Sequence, residues 1–116
     1  MTTEKPDAAT SFKAFKAAVN MPAKALTAWL ATDESKKVGF KQHEGEESVG
    51  HQSGKKIVAL LAKTQTKFTT ADTAHARKVV GYIHRHLAQR PDGDISKTHW
   101  RYSLMNWGHD PQKGKS

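Results

Sequence analysis

Three histidines and four basic side chains share the stretch HARKVVGYIHRHLAQR, residues 75–90. Side chains of these types ligate metals, move protons or attract polyanions, and their spacing decides among the three. On a helix turning about 100° per residue, His84 and His86 diverge by about 160°. Metal-ligand pairs on helices need a spacing of three or four, as in H-E-x-x-H, so no metal site is expected. Ala76, Val79, Val80, Ile83 and Leu87 fall together and read as core. Lys78 and Arg85, seven positions apart, lie nearly in line on the far side with Arg77 one step round. Ala74, Gly81 and Ala88 occupy the same strip, so a phosphate backbone could approach closely between the charges. Gly81 costs about 1 kcal/mol of helix stability relative to alanine, which a close approach would offset. A solvated face, or a seat for another helix, fits the same strip. His75, Tyr82 and His86 form a second strip at the core boundary, where such side chains bury an apolar body and keep a polar tip wet. Hydrogen bonding to phosphates or bases is their functional alternative, strengthened as a histidine protonates near about 6.5.

Other stretches carry weaker chemistry. HQSGKK, residues 51–56, joins a loop to a helix. Orphan amides at that helix start, with Lys55 and Lys56, would make an anion pocket, while an ordinary cap with exposed lysines is the plain alternative. The P-loop spacing G-x-x-x-x-G-K-[ST] is missing. Glu44, Glu46 and Glu47 cluster in HEGEES but lack the spacing of a calcium loop, and read as a solvated acidic loop that could screen the basic face. Near Arg101 stand Trp100, Tyr102 and Trp107. The two tryptophans fall on a core stripe, leaving Tyr102 as the candidate for stacking on bases. No nucleophile elbow, metal triad or glycine-rich cofactor turn links the serines, histidines and carboxylates, so neither an enzyme nor a cofactor is expected. An enzyme acting on phosphorylated metabolites at the 53–56 helix start would need a pocket of convergent polar groups.

Charge distribution favours the polyanion. The net charge of the 116-residue chain is +8 with neutral histidines. Residues 1–50 hold seven Lys/Arg and seven Asp/Glu, whereas residues 51–116 hold twelve against four. All the excess therefore sits in the second half, which suits DNA, RNA or an acidic surface, although basic surface also serves solubility. No cysteine is present, which excludes disulfides and thiolate chemistry and is compatible with a reducing compartment. No apolar run approaches the roughly 18–20 residues that span a bilayer, and MTTEKPDAATS does not resemble a secretory signal. A cytoplasmic protein without a membrane partner is expected.

The elements that must position these residues are helical. Phe12, Phe15 and Val19 recur at helical spacing. Asn20 could cap a second helix, with Pro22 in its first turn and Leu26, Trp29 and Leu30 on its apolar face. Residues 32–53 read as a long loop. Ile57, Leu60 and Leu61 mark a third helix. Phe68 and a Thr69 cap closed by Asp72 open a fourth, which runs to about Arg90 before Pro91 and the PDGD turn. Ile95 and Ser96 open the last, with Trp100, Leu104 and Trp107 on one stripe and Gly108 at its end. The expectation is one all-α domain of about five helices over residues 12–108, with a disordered leader at 1–11 and a polar tail at 109–116.

VNMPAKALTAWLATDESKKVG, SGKKIVAL, ARKVVGYIHRHLAQRP and WRYSLMNWGHDP together resemble a family of short, mainly bacterial proteins of unknown function, some of which are labelled DNA-binding protein. The resemblance spans roughly residues 12–111 and implies a shared fold and, from that label, DNA binding; no functional residues come with it. Pro22 and Ala23 stand where Thr-Pro is expected. SGKKIVALL also resembles the second helix of the SAP type of DNA-binding motif, a helix–loop–helix unit contacting DNA backbone, with residues 22–61 as the matching pair of helices. The expected activity is binding of double-stranded DNA with little sequence preference, and RNA remains an alternative polyanion. Lys55, Lys56, Arg77, Lys78 and Arg85 would neutralise phosphates, with Arg90 and Arg101 at the margin. A protein-interaction module, in which Ala74, Gly81 and Ala88 receive a partner helix, is the competing expectation. The oligomeric state stays open.

Overall fold

Helices form where a cap or an apolar stripe permits one, and their order along the chain follows those signals. The computed structural model describes residues 8–38 and 47–112. The elements are α1 (Ala8–Ala18), α2 (Ala23–Leu30), α3 (Asp33–Lys37), α4 (Val49–Leu61), a 3-10 turn at Gln65–Lys67, α5 (Thr70–Leu87) and α6 (His99–Asn106). Among the described residues there is no strand, so the chain is all-α. Helix α1 lies along α5 and α4 packs on α2, while α6 touches α2, α3, α4 and α5. Phe15, Leu26, Ile57, Val79, Ile83 and Leu104 meet in one core, each fully buried. Burial of a side chain of that size is worth about 1.5–3 kcal/mol.

Helix α5 begins as its sequence dictates. The Thr69 hydroxyl accepts from the Asp72 amide at 3.0 Å, and the Asp72 carboxylate accepts from the Thr69 amide at 3.0 Å, completing the capping box. Lys63 Nζ donates to the same carboxylate at 2.6 Å. Phe68 packs edge-on against Phe12 and Phe15, with ring centroids 5.2 and 6.2 Å away, and so fastens α1 to the start of α5. The helix ends at Leu87 rather than near Arg90. Gly93 in the following turn has φ +85°, a region that favours glycine.

Several expectations are corrected. The stretch read as a loop over 32–53 contains α3 and the first turn of α4. Thr32 caps α3 by accepting from Ser35 N, with Asp33 and Glu34 in its first turn and Lys36 and Lys37 in its last, an order that suits the helix dipole. Ser48 caps α4 by accepting from His51 N at 3.1 Å, so Lys55 and Lys56 stand inside a helix instead of at its start. Pro22, without a side-chain bond, occupies the cap of α2. Asn20 instead exchanges hydrogen bonds with Asp110, accepting from its amide at 2.8 Å and donating to its carbonyl at 3.0 Å. The cap of α6 is Thr98, two residues beyond Ser96.

The domain edges move as well. Residues 8–11, read as leader, belong to α1, and Ser11 is buried. Residues 109 and 110, read as tail, are docked: His109 Nδ1 donates to the Ala18 carbonyl at 2.7 Å. Gly108, at φ +86°, turns the chain back toward α1, and its missing side chain leaves room for Val19. Residues 1–7 and 113–116, with Glu44 and Glu46 of the acidic loop, lie outside the described residues.

Candidate nucleic-acid interface

The face that carries the basic strip is set by the fit of α5 against α6. Asn106, fully buried, anchors α6 from behind. Its Oδ1 accepts from Trp29 Nε1 at 2.7 Å and from Ser35 Oγ at 2.5 Å, and its Nδ2 donates to the Ser35 carbonyl at 3.0 Å. One amide thereby ties α2, α3 and α6 together. Gly54 lets α4 come close on the same side, since a Cβ there would stand 2.6 Å from Leu30 Cδ2 and 2.7 Å from the Asn106 carbonyl oxygen.

In front of that anchor runs a ladder of rings. His75 stacks on Trp107, with centroids 6.4 Å apart, Trp107 on Tyr82 at 4.2 Å, Tyr82 on His86 at 5.1 Å and His86 on Trp100 at 5.5 Å. The Arg90 guanidinium closes the far end, 5.7 Å from the Trp100 centroid. Trp29 and Tyr102 meet separately at 5.4 Å. His75, Tyr82 and His86 are half-buried, as their boundary strip implies. The inner rings, Trp107, Tyr82 and His86, each stack on two neighbours, and among the described residues only the outer face of the end ring His75 has no ring against it.

A cleft of about 250 Å³ opens beside the ladder, where the start of α4 meets α5 and the end of α6. Val49 and Gly50 form one wall, and Lys78, Tyr82 and Arg85 form another. Ser103 and Trp107 form the third. Lys78 and Arg85 are exposed and have no carboxylate partner among the described residues. The Arg85 guanidinium folds back over Gly81, 3.1 Å from where a Cβ would stand. A second groove, between α4 and α5, holds Lys56, His75, Lys63 and Asp72. Burial pulls the pKa of His75 below the usual imidazole value, and the charges of Lys56 and Lys78 pull the same way. Its Nε2 lies 3.0 Å from Ser53 Oγ. Burial alone pushes Tyr82 up, so its phenol remains a donor at neutral pH.

The seven cations singled out from sequence therefore separate. Lys56, Lys78 and Arg85 border adjoining grooves on one side of α5, and Arg90 lies at the end of the ladder. Arg77 is exposed on the other flank, in the α1–α5 groove with Gly81. Lys55 faces away from Lys56, in a groove with Leu30, Lys36 and His51, and binds Glu47 at 2.8 Å. That lysine is the main reason the Glu47 carboxyl titrates below its usual range; burial opposes the shift, and His51, also bound to Glu47, reinforces it. Arg101 is half-buried and engaged, donating to both Asp110 oxygens at 3.1 Å and to the Ser96 carbonyl at 2.9 Å. Burial raises the Asp110 carboxyl, but Arg101 and the Gln112 amide outweigh it and hold the group low. Lys55 and Arg101 are thus paired within the fold. The SAP-like reading of residues 22–61 is interrupted by α3.

Residues 14–105, most of this chain, match the family described as "Protein of unknown function (DUF3140)". The chain belongs to the DUF3140 family. The DUF3140 match takes in α2 to α5 and ends within α6, so it covers Lys56, Lys78 and Arg85 but stops short of Asn106 and Trp107. No curated protein and no solved structure matches the chain. In this DUF3140 member, reading by helix face does not find Asn106, because its partners lie 71 and 77 positions away. It also does not find the wall made by Val49 and Gly50, because the cap at Ser48 sits in a stretch without periodicity. A serine three residues before His51 is the only local trace of it.

Proposed function

We propose that this DUF3140 protein binds double-stranded DNA through its phosphates, with little sequence preference, using Lys56, Lys78 and Arg85 as the central contacts. Arg77 and Arg90 reach phosphates at the flanks. The observation that carries this reading is that Lys78 and Arg85 stand exposed, with no carboxylate partner among the described residues and about 10 Å apart along one line of α5, beside the groove that holds Lys56. Phosphate contacts account for the affinity and carry no base information, and the stacking of the inner rings on one another favours a backbone reader over a binder of unpaired bases. Lys55 and Arg101 are left out because their charges are met by Glu47 and Asp110. Proteins labelled DNA-binding protein within the family that the sequence resembles point the same way, and a cytoplasmic setting goes with it. No reaction is proposed.

Arg85 also bears on the competing reading, in which the small residues of α5 receive a partner helix. Its guanidinium covers Gly81, so a partner would have to displace a cation to pack there. The test is fluorescence anisotropy of a labelled duplex at two salt concentrations. Binding that weakens steeply with salt supports phosphate neutralisation, whereas no binding at low salt removes the reading.

A further inference from the structure

The three tryptophans of this chain differ in one respect. Trp29 donates its indole N–H to Asn106 and Trp100 donates to the His86 carbonyl. Trp107 is only 5% exposed, and no described residue accepts from its Nε1, which keeps its small opening to solvent on the cleft side. Buried indoles normally find one. This nitrogen lies against Gly50 in the wall of the cleft, 3.0 Å from where a Cβ would be. Gly50 and Val49 are the first residues of α4, a helix of 13 residues, and the Ser48 hydroxyl serves the His51 amide. The amides of Val49 and Gly50 are therefore orphan donors at the positive end of a helix.

The remaining groups around the cleft have the same polarity. Lys78 and Arg85 line the cleft with no carboxylate partner among the described residues, the Arg85 guanidinium folded back over Gly81 and reaching a ligand by a turn of its side chain, and the Ser103 hydroxyl has no partner among those residues. Asn106, which also borders the space, has its acceptor oxygen already filled by Trp29 and Ser35. Both faces of the Trp107 ring are covered, by His75 and by Tyr82, so it can offer a ligand only its edge. An aromatic or apolar ligand would leave these donors unmet.

We infer that the cleft between the start of α4, α5 and the end of α6 is a binding site for a dianionic phosphate group, held by the Trp107 indole, the Val49 and Gly50 amides, Lys78 and Arg85. Two free cations match the two charges of a phosphomonoester better than the single charge of a backbone diester. The group is either inorganic phosphate or the 5′-phosphate at the end of a nucleic-acid strand. The inference rests on the polyanion reading of this face, because Lys78 and Arg85 serve both.

The test is a titration of inorganic phosphate into the uniformly ¹⁵N-labelled full chain, with sodium chloride at matched ionic strength as control. The three indoles act as internal references. The Trp107 indole and the Gly50 amide are expected to shift saturably with phosphate, while those of Trp29 and Trp100 stay in place. Indoles that all move alike, or a Trp107 signal that phosphate moves no more than chloride does, would overturn the site. Ser103→Leu, which narrows the cleft and keeps every charge, is expected to weaken phosphate binding at least tenfold. Unchanged phosphate binding in a folded variant counts against the site, and the wild-type titration stands if the variant does not fold. Duplexes ending in 5′-phosphate or 5′-hydroxyl separate the sources. At least threefold tighter binding of the phosphorylated end assigns the group to a strand terminus. Equal duplex affinities with a saturable response to free phosphate assign it to the inorganic ion. Duplex binding without a Trp107 response sinks the cleft alone; a response to phosphate without duplex binding sinks only the DNA reading.

Discussion

His86 and Trp100 hold each other by a reciprocal pair of hydrogen bonds. Trp100 Nε1 donates to the His86 carbonyl at 2.8 Å, and His86 Nε2 donates to the Trp100 carbonyl at 2.9 Å, with the two rings stacked between them. A carbonyl only accepts, so the proton of His86 resides on Nε2. This pair joins the last turn of α5 to the first turn of α6 and keeps the ring ladder in line. Trp100→Phe retains most of the ring and leaves the His86 carbonyl without its indole donor. Because that carbonyl still accepts from the Gln89 amide at 3.0 Å, the expected cost is that of one hydrogen bond, about 0.5–1.5 kcal/mol, read as a lower urea midpoint with an unchanged slope.

Asn106 should be costlier to lose. Asn106→Leu has similar size, but it strands the Trp29 indole, the Ser35 hydroxyl and the Ser35 carbonyl in a buried setting. With three partners left unmet, a loss of about 3 kcal/mol or more is expected. Chemical denaturation measures it. A loss below about 1 kcal/mol would mean that water replaces the amide.

The central and the excluded cations make opposite predictions for DNA. Lys78→Glu combined with Arg85→Glu should weaken duplex binding by at least about tenfold at low salt and reduce the logarithmic salt slope by about two. The circular dichroism melting curve should stay close to wild type, because both side chains are exposed. Lys55→Met should leave affinity within about twofold and change stability by less than about 1 kcal/mol, as exposed ion pairs do. Equal effects from the two sets would remove the assignment of a face.

His75 predicts a direction with pH. Burial, Lys56 and Lys78 set its folded-state pKa below the ordinary value of about 6.5, so the unfolded chain takes up the proton first. Between the depressed value and about 6.5 the unfolded state binds more protons, and stability rises with pH. Its contribution is complete above about 6.5 and is lost as the solution is acidified through that window. Imidazole resonances followed by NMR should show His75 titrating below the ordinary value of about 6.5. Lys56→Met with Lys78→Met should bring it only part of the way back, since burial is the larger cause. Added duplex should raise it further toward the ordinary value if the strand lies along these lysines.

Local signals already specify much of the framework. The Thr69–Asp72 capping box, the core face of Ala76, Val79 and Ile83, and the line joining Lys78 to Arg85 all follow from residues within two helical turns, and the structure has them where spacing places them. Helix α3 escapes periodicity because five residues hold too little of it, although the Thr32 cap and the order of charges in TDESKK are written locally. The start of α4 is missed for the same reason, and with it the wall of the cleft.

Adjacent Lys55 and Lys56 show where local information ends. Helix geometry sends them in different directions, but only the fold puts Glu47 against one and His75 near the other. Arg101 reads as a free cation until the chain beyond Gly108 returns Asp110 to it. The ladder from His75 to Trp100, the Asn106 anchor and the unmatched Trp107 donor likewise depend on contacts between separate helices. Caps and amphipathic faces arise from neighbours along the chain, so composition and spacing suffice for them. Whether a buried donor or a surface charge finds a partner depends on packing between distant segments, and tertiary structure alone decides it.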